Sequence, residues 1–294
     1  MMNTRKWIEN NTRDLEGKTV VVSGSTGGIG QELCDHLASV GASLVLLDRN
    51  PARSAENRER ILRNHPGIKV DLITADLEDM DSVKAAVEML REIKPYALIH
   101  NAGAYSIPRH KCSTGYDNVF QINFLSPYYI TKQLLPILRE NGGRVVAVGS
   151  VAHNYSKTDP EDTDFSTRSK ASLVYGNAKR YLMFALHELF RDEAGAHLAV
   201  THPGITFTNI TAHYPKLIFA VIKHPMKVIF MKPKKACLSI LAGLFDSTKY
   251  GEWIGPGVFD VWGFPKKRML RTVTAEESRR IFETAEKIYA ELSE

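Results

Sequence analysis

Short apolar runs alternate with longer segments of helical period along the chain from Lys18 to His202. The runs are rich in Val, Ile and Leu, which is typical of strands buried on both faces, and the alternation is typical of a parallel sheet covered by helices. The pattern therefore predicts an α/β fold, a doubly wound parallel sheet with helices on both faces. The predicted strands are 19–23, 43–48, 69–76, 96–101, 144–150 and 197–202.

The segments between these strands carry apolar residues at helical spacing. Residues 31–40 and 81–93 each place them on one face of a helix, and residues 275–292 do the same near the C-terminus. Pro127 interrupts the apolar stretch 116–138. Because proline lacks a backbone N–H, we expect that helix to begin at Pro127 or to bend near it.

The composition indicates whether the chain folds and which class of partner it binds. The 294 residues are 44% hydrophobic and 24% charged, which is ordinary for a folded protein. We expect one domain over residues 16–294, preceded by an N-terminal extension, 1–15. The formal net charge of +5 comes without a basic stripe interleaved with aromatic residues, so nucleic acid is not an expected partner.

Several classes of protein are not supported by the residue spacing. Three cysteines without a CxxC pair suit a reducing compartment, which predicts a cytoplasmic protein. The ten histidines form no HExxH motif, and four acidic residues within 159–164 are expected to form a solvated loop rather than a calcium site, so no metal is predicted. Neither a signal peptide nor a transmembrane helix is expected, because residues 1–17 are polar and apolar runs are short.

The first predicted strand runs directly into a glycine-rich loop that a helix follows. Gly24, Gly28 and Gly30 lack a Cβ, so backbone amides and the N-terminus of the helix can approach a pyrophosphate, whose charge the helix dipole favours. A glycine-rich surface turn is the alternative interpretation of the loop alone. The strand before it and the helix after it favour a phosphate-binding loop of the Rossmann type.

Asp48 ends the second predicted strand, 18 residues after Gly30. Roughly 20 residues is the spacing at which an acidic side chain meets the ribose hydroxyls of adenosine. A carboxylate there repels a 2′-phosphate, which favours NAD over NADP. Arg49 follows and could bind that phosphate instead, so NADP remains possible; a solvated acid at a strand end is the alternative role of Asp48.

Tyr175 and Lys179 form a YxxxK pair, which a helix places on one face. We expect the Lys179 ammonium to lower the pKa of Tyr175 from about 10 by about one to three units, which suits a general acid and base. Tyr128 and Lys132 form a second copy of the pair. Tyr175 is the better candidate because it follows a strand whose carboxyl end carries Ser150, and ligands of such sheets bind beyond those ends.

Further residues complete a set that resembles the short-chain dehydrogenase/reductase family, and within it the branch of retinol dehydrogenases and their relatives. The set occurs in family order over about residues 16–210. Ser23, His100 and Gly149 depart from the usual family residues, but none of these departures removes a reacting group. The matching residues are Gly24, Gly28, Gly30, Asp76, Asn101, Ala102, Gly103, Asn123, Ser150, Tyr175, Lys179, Pro203 and Gly204.

The resemblance implies a role for each matching residue. Ser150 would orient the substrate carbonyl, Tyr175 would transfer the proton and Lys179 would bind the nicotinamide ribose. Asn123 would fix a water for proton relay. Together with the glycine loop and Asp48, the predicted cofactor-binding residues are Gly24, Ser25, Thr26, Gly28, Ile29, Gly30, Asp48, Arg49, Asp76, Leu77, Asn101, Ala102, Gly103, Tyr175, Lys179, Pro203, Gly204, Ile205 and Thr208.

In that family the region after the last strand of the motif forms a lid, which corresponds here to residues 205–240. Residues 214–235 mix apolar runs with six lysines, so they would cover a hydrophobic substrate and exclude water. Contact of this segment with a membrane surface is the less favoured alternative. The resemblance also implies a homo-oligomer.

The predicted function is an oxidoreductase, an NAD(P)-dependent short-chain dehydrogenase/reductase acting on CH–OH. It would transfer a hydride between the nicotinamide cofactor and the alcohol or carbonyl group of a bulky apolar small molecule. The alternative is a cofactor-binding scaffold or redox sensor that acts through protein contacts. The residues Asn123, Ser150, Tyr175 and Lys179 are all present, which argues against a scaffold.

Overall fold

The computed structural model describes residues 3–206, 231–270 and 272–294. The strands are β1 (Thr19–Ser23), β2 (Ser43–Asp48), β3 (Val70–Thr74), β4 (Ala97–His100), β5 (Arg144–Val148), β6 (His197–Thr201), β7 (Glu252–Val258) and β8 (Trp262–Met269). They form one sheet in the order β3-β2-β1-β4-β5-β6-β7-β8. Neighbouring strands are parallel except for the antiparallel pair β7–β8, which confirms the predicted doubly wound sheet.

Helices cover both faces of the sheet. They are α1 (Thr4–Asn11), α2 (Gly28–Ser39), α3 (Pro51–Asn64), α4 (Met80–Ile93), α5 (Asn118–Phe120, a π-helical turn Gln121–Leu125 and Ser126–Glu140), α6 (Ala171–Leu189), α7 (Pro233–Phe245) and α8 (Ala275–Ser293), with a 3-10 turn at Val151–Tyr155. Among the described helices, none combines the length and the apolar character that a bilayer span requires.

Alternate residues of the central strands point into two separate cores. Val21 packs with Leu90, Phe124 and other side chains of α4, α5, α6 and α8 on one face. Its neighbour Val20 packs on the other face with Leu37 and side chains of α1, α2 and α7. Because successive side chains of a strand alternate between faces, both faces of β1 are buried under apolar side chains.

The predicted strand bounds hold best where the apolar run is uninterrupted. β1 and β2 have the predicted bounds, whereas the other four strands are one to three residues shorter. Most of the lost residues stand at carboxyl ends, where the chain leaves the sheet for a loop. These loops converge above β1 and β4, where the strand order reverses, which is where ligands bind in open sheets of this kind.

One element agrees with the sequence-based expectation and one differs from it. Pro127 lies in the first turn of the regular part of α5, where its missing N–H costs nothing, and the irregularity is the preceding π-helical turn. Residues 233–240, assigned above to the lid, belong to α7, whose Cys237 and Leu241 are buried in the core. The lid expected from the lysine-rich segment otherwise falls on residues 207–230, outside the described residues.

Candidate active site

A cavity of about 630 Å³ lies at the carboxyl ends of the strands that flank the reversal of strand order. It is open to solvent on one side and deep enough for a small organic ligand. Twelve of the predicted cofactor-binding residues line it: Gly24, Thr26, Gly28, Ile29, Gly30, Asp48, Arg49, Asp76, Leu77, Asn101, Ala102 and Gly103.

Close packing requires two glycines of the loop. Gly24 has a φ of +69°, and a Cβ there would lie 2.8 Å from the Cα of Ala102. A Cβ on Gly30 would lie 2.2 Å from the carbonyl oxygen of Gly24. At Gly28 an added Cβ would meet Pro233 alone among the described residues, at an ordinary 3.6 Å, so packing within that part of the chain does not demand glycine at the start of α2.

The Asp48 carboxylate lies beneath the glycine loop and is almost fully buried. Its Oδ2 accepts hydrogen bonds from the hydroxyls of Ser25 (2.5 Å) and Ser54 (2.9 Å), and its Oδ1 accepts one from the Thr26 N–H (3.4 Å). Ser25, predicted to bind cofactor, has no exposed surface and also accepts a hydrogen bond from Asn57 (3.1 Å). Ser25 therefore supports the loop from below rather than lining the cavity.

Two arginines border the cavity beside Asp48. The Arg49 side chain is 67% exposed and lies 3.3 Å from the Glu78 carboxylate. Arg53, which sequence reasoning missed, donates to the carbonyl oxygen of Thr26 (3.3 Å). The available signal was Asn50, whose side chain caps α3 by accepting from the Arg53 N–H (3.0 Å) and so places that arginine in the first turn.

The loop after β4 is tied to the glycine loop. The Asn101 side-chain amide donates to the carbonyl oxygens of Ser23 and Gly24, both at 3.0 Å. The Ala102 N–H donates to the Ser23 hydroxyl (3.0 Å). Serine in place of the usual threonine at position 23 therefore keeps the hydroxyl that joins the two loops.

Asn123 lies in the π-helical turn of α5 and is completely buried. Its side-chain amide donates to the carbonyl oxygens of Ala104 and Val119, both at 2.8 Å, and its Oδ1 accepts from the Ala104 N–H (3.3 Å). A Cβ on Gly103 would lie 2.8 Å from that Oδ1. Asn123 thus holds the cofactor-side loop, and π-helical turns of this kind are frequent at functional sites.

Ser150, Tyr175 and Lys179 meet at the carboxyl end of β5. Ser150 follows the strand, and its hydroxyl forms a hydrogen bond with the Tyr175 side chain while accepting one from the Ala152 N–H (3.2 Å). Lys179 lies one turn after Tyr175 on α6, and its Nζ is 5.8 Å from the centre of the Tyr175 ring. That Nζ donates to the carbonyl oxygen of Val148 (2.9 Å).

The pKa of Tyr175 departs from the sequence-based expectation. Burial raises it to about 12, although the Ser150 hydrogen bond acts in the opposite direction, and the nearby Tyr105 hydroxyl raises it further. Burial also lowers the pKa of Lys179 to about 7. The expected lowering of the Tyr175 pKa by Lys179 is therefore wrong for the protein without ligand, because desolvation of both groups outweighs their attraction.

Tyr105 is a neighbour that the motifs did not reveal. Its ring meets the Tyr175 ring edge-on, with centroids 5.2 Å apart and planes at 78°. Tyr105 stands two residues beyond Gly103, in a loop where no periodicity marks it. Only the folding of that loop against α6 brings the two rings together.

The second YxxxK pair has a structural role. The Tyr128 hydroxyl is buried and donates to Glu286 of α8 (2.5 Å), and the Lys132 ammonium contacts the same carboxylate (2.7 Å). Both side chains therefore join α5 to α8. Neither Tyr128 nor Tyr175 lines the cavity, and the preference for Tyr175 over Tyr128 stays a prediction.

The remaining predicted residues occupy other places. Pro203, Gly204 and Ile205 follow β6 and do not line the cavity, whereas Thr208 lies outside the described residues. In the acidic loop, Asp159 and Asp162 form ion pairs with Arg168. No group of three or more metal-ligating side chains occurs in the part of the chain that the structure describes.

Comparisons with known proteins agree with this architecture. A profile of the short chain dehydrogenase family matches residues 18–161. Polyprenol dehydrogenase of Homo sapiens is 28% identical over 207 residues, which are 67% of this chain and 63% of that protein. Retinol dehydrogenase 12 of Mus musculus is 30% identical over 202 residues, which are 67% of this chain and 64% of that protein. The chain thus spans just under two thirds of the length of these relatives.

A solved structure shows the same fold over almost the whole chain. The short-chain dehydrogenase from Sphingobium yanoikuyae, in complex with NADPH, superimposes with a TM-score of 0.60 at 20% identity. The match covers 92% of this chain and 94% of that one. This chain belongs to the short-chain dehydrogenase/reductase family of oxidoreductases.

Proposed function

We propose that the protein binds a nicotinamide dinucleotide beside the glycine loop and interconverts an alcohol and its carbonyl compound, with Tyr175 as the proton donor and acceptor. The observation that carries this proposal is the meeting of Ser150, Tyr175 and Lys179 at the carboxyl end of β5. Lys179 is buried near the Tyr175 ring with no carboxylate partner among the described residues, an arrangement that favours an enzyme over a scaffold.

The residues around the glycine loop fit a dinucleotide. Gly24 and Gly30 pack so closely that the loop is held against the start of α2, while a Cβ on Gly28 would approach Pro233 only to an ordinary 3.6 Å. The free N–H groups at the N-terminus of α2 and its dipole suit a pyrophosphate at that point. When bound, the nicotinamide would supply or accept the hydride.

The side chains of the site then have separate tasks. Because its pKa is about 12, Tyr175 carries its proton at neutral pH and is ready to donate it to a carbonyl oxygen. The Ser150 hydroxyl, bonded to Tyr175, would orient that oxygen and stabilise charge that develops on it. With a pKa of about 7, Lys179 can carry a charge that stabilises the phenolate left after transfer.

The proposal includes a preference for NADH over NADPH. The buried Asp48 carboxylate borders the cavity and would repel a 2′-phosphate. Arg49 and Arg53, the two cations that could attract it, already contact Glu78 and the Thr26 carbonyl oxygen. A tenfold preference of the protein for NADPH, equal to about 1.4 kcal/mol, would contradict this assignment of Asp48.

The substrate class is proposed to be bulky and apolar, on the basis of the sequence of the predicted lid and the names of the relatives. Long-chain or polycyclic alcohols should therefore be oxidised faster than short polar ones at equal concentration. The homo-oligomeric state and the cytoplasmic location stay predictions.

The test is to replace Tyr175 and, as a matched control, Tyr128. We expect Tyr175→Phe to reduce kcat by about 10²-fold or more, because the proton donor is lost, while NADH still binds. Tyr128→Phe removes the hydroxyl of the other YxxxK pair and should leave kcat within about twofold. A panel of alcohols and ketones with NAD(H) and NADP(H), followed at the absorbance of the reduced nicotinamide, measures both.

Retention of turnover by Tyr175→Phe would refute the assigned role of the hydroxyl. Loss of turnover together with loss of NADH binding would point instead to a structural role for this tyrosine. If the wild-type protein binds NADH but turns over no member of the panel, the scaffold function gains support over the enzymatic one.

A further inference from the structure

The turn that joins β7 to β8 carries an unusual concentration of exposed apolar side chains. Of the seven large hydrophobic residues exposed in the described part of the chain, Val258 (47% exposed), Phe259 (81%) and Trp262 (42%) belong to this turn. Ile205 (37%) lies next to it along the chain segment that follows β6. We refer to residues 258–262 as the hairpin tip.

Two residues of the hairpin tip, one of them aromatic, have a strained backbone conformation. Phe259 and Asp260 have φ values of +52° and +56°, in the left-handed region that glycine and asparagine occupy most easily. For a bulky residue this conformation costs about 1–2 kcal/mol. Burial does not offset that cost, because Phe259 is largely exposed, so folding alone does not explain a phenylalanine here.

The charges around the hairpin tip are mainly positive. Lys232 at the start of α7 and Lys266 on β8 are exposed, and the Lys235 ammonium lies 4.7 Å from the centre of the Phe264 ring. The single acidic residue of the tip, Asp260, faces the Arg268 guanidinium at 3.4 Å. An apolar tip with exposed lysines on its own strand β8 and on the neighbouring helix α7 is complementary to a surface that is anionic outside and apolar beneath.

The hairpin tip also contacts the segment that follows β6. A Cβ on Gly204 would lie 2.8 Å from the carbonyl oxygen of Val261 and 2.9 Å from Pro256 Cγ. The His202 N–H donates to the carbonyl oxygen of Ile254 (2.8 Å). A surface that binds the tip would therefore stand beside the segment 203–205, which is predicted to bind the cofactor.

We propose that the hairpin tip is a membrane-docking element that inserts Val258, Phe259 and Trp262 into the interface of an anionic lipid bilayer. Phenylalanine and tryptophan favour that depth, and nearby lysines bind anionic headgroups. Docking there would let an apolar substrate pass from the bilayer to the site. This last consequence rests on the proposed function, whereas the docking itself does not.

The test is flotation of the purified full chain with vesicles. Wild-type protein should float with vesicles of phosphatidylcholine and about 30% phosphatidylserine, and much less with phosphatidylcholine alone or at high salt. Phe259→Ser should lower the bound fraction about tenfold, since the main apolar insertion is lost. Lys266→Gln should lower it about fivefold.

Two controls separate docking from other effects. Met89→Ser removes a half-exposed apolar side chain (50%) on α4, away from the hairpin tip, and should float like the wild type. Tyr175→Phe, which should lack turnover, should also float like the wild type, so a failure of the proposed enzymatic function does not affect this measurement.

The proposal is overturned if the wild type stays in the unbound fraction with both vesicles, or if Met89→Ser weakens flotation as much as Phe259→Ser does. It is also overturned if Phe259→Ser changes the mass of the protein in solution and leaves flotation unchanged. In that case the hairpin tip joins two copies of the chain.

Discussion

At the scale of single residues, the chemistry of the candidate site depends on how deeply each group lies. The sequence places Tyr175 and Lys179 one helical turn apart, and an ion pair in water would bring their pKa values into the working range. Burial reverses that expectation, since it raises the pKa of Tyr175 and lowers that of Lys179. Spacing along a helix specifies neighbours, whereas desolvation is a property of everything packed around them.

A buried lysine with a lowered pKa predicts a pH-dependent cost to stability. Below pH 7 Lys179 is charged in the folded protein, and burying that charge lowers the free energy of unfolding. This cost shrinks as the pH rises from 7 towards 10.5, because in that range the unfolded chain binds more protons at Lys179 than the folded protein does. We expect Lys179→Met to abolish activity and to raise Tm relative to the wild type by more at pH 6 than at pH 9.

Thermal unfolding of both proteins without cofactor, at the two pH values, measures that difference. A gain of about 2–4 °C in Tm corresponds to about 1 kcal/mol in a chain of comparable size. An equal change in Tm at pH 6 and pH 9 would show that Lys179 is not desolvated as described.

At the scale of elements, the C-terminal helix is joined to the turn that follows Ser150, the residue proposed to orient the substrate. Arg180 of α6 is buried and donates to Glu277 of α8 (2.6 Å), to the His153 carbonyl oxygen (3.0 Å) and to the Thr272 carbonyl oxygen (3.0 Å). The His153 ring Nδ1 lies 2.6 Å from the Ser150 carbonyl oxygen. The position of Ser150 therefore depends on contacts with residues more than a hundred positions away.

Removal of the charge of Glu277 should test this junction. Glu277→Gln leaves the Arg180 guanidinium buried without its carboxylate, which we expect to cost about 1–3 kcal/mol of unfolding free energy and to lower kcat through a displaced Ser150. The exposed pair Arg5–Glu9 offers the control, because Glu9→Gln should cost less than about 0.5 kcal/mol. Urea unfolding and steady-state kinetics of both variants measure these effects. An equal loss of unfolding free energy in Glu277→Gln and Glu9→Gln would show that the buried pair with Arg180 contributes no more than an exposed one.

At the scale of the whole molecule, the reversal of strand order creates the site. The loops after β1 and β4 leave neighbouring strands in opposite directions, which opens a crevice between them. Hydrogen bonds from Asn101 and Ala102 close its floor. The helices on both faces hold these strands in register, so the binding of a dinucleotide in the crevice should stabilise the entire fold.

Two glycine variants separate folding from binding. Gly28→Ala should fold normally, because its Cβ meets Pro233 at an ordinary 3.6 Å and no other described residue, but should lose most of the rise in Tm that NADH causes. Gly30→Ala should unfold at lower temperature even without NADH, by about 1–3 kcal/mol, since its Cβ would meet the Gly24 carbonyl oxygen. For the wild type, NADH at a hundred times its Kd should add about 2.7 kcal/mol.

Thermal shifts with and without NADH measure both effects. An unchanged NADH-dependent shift in Gly28→Ala would place the dinucleotide away from the start of α2. An apo protein of Gly30→Ala as stable as the wild type would contradict the close packing of the loop.

The sequence by itself determined the parallel sheet, the glycine loop and the order of the motifs. These features are local, because a buried strand is a short apolar run and a phosphate-binding turn requires glycines next to one another in the chain. The exact bounds of β1 and β2 followed from that.

Only the tertiary structure decided which groups are buried, which are paired and which are exposed. It turned Asp48 towards two serine hydroxyls, brought Tyr105 to Tyr175 and paired β8 with β7. It also left Phe259 in solvent. Such contacts join residues that are distant in the chain, and no local pattern encodes the packing that creates them.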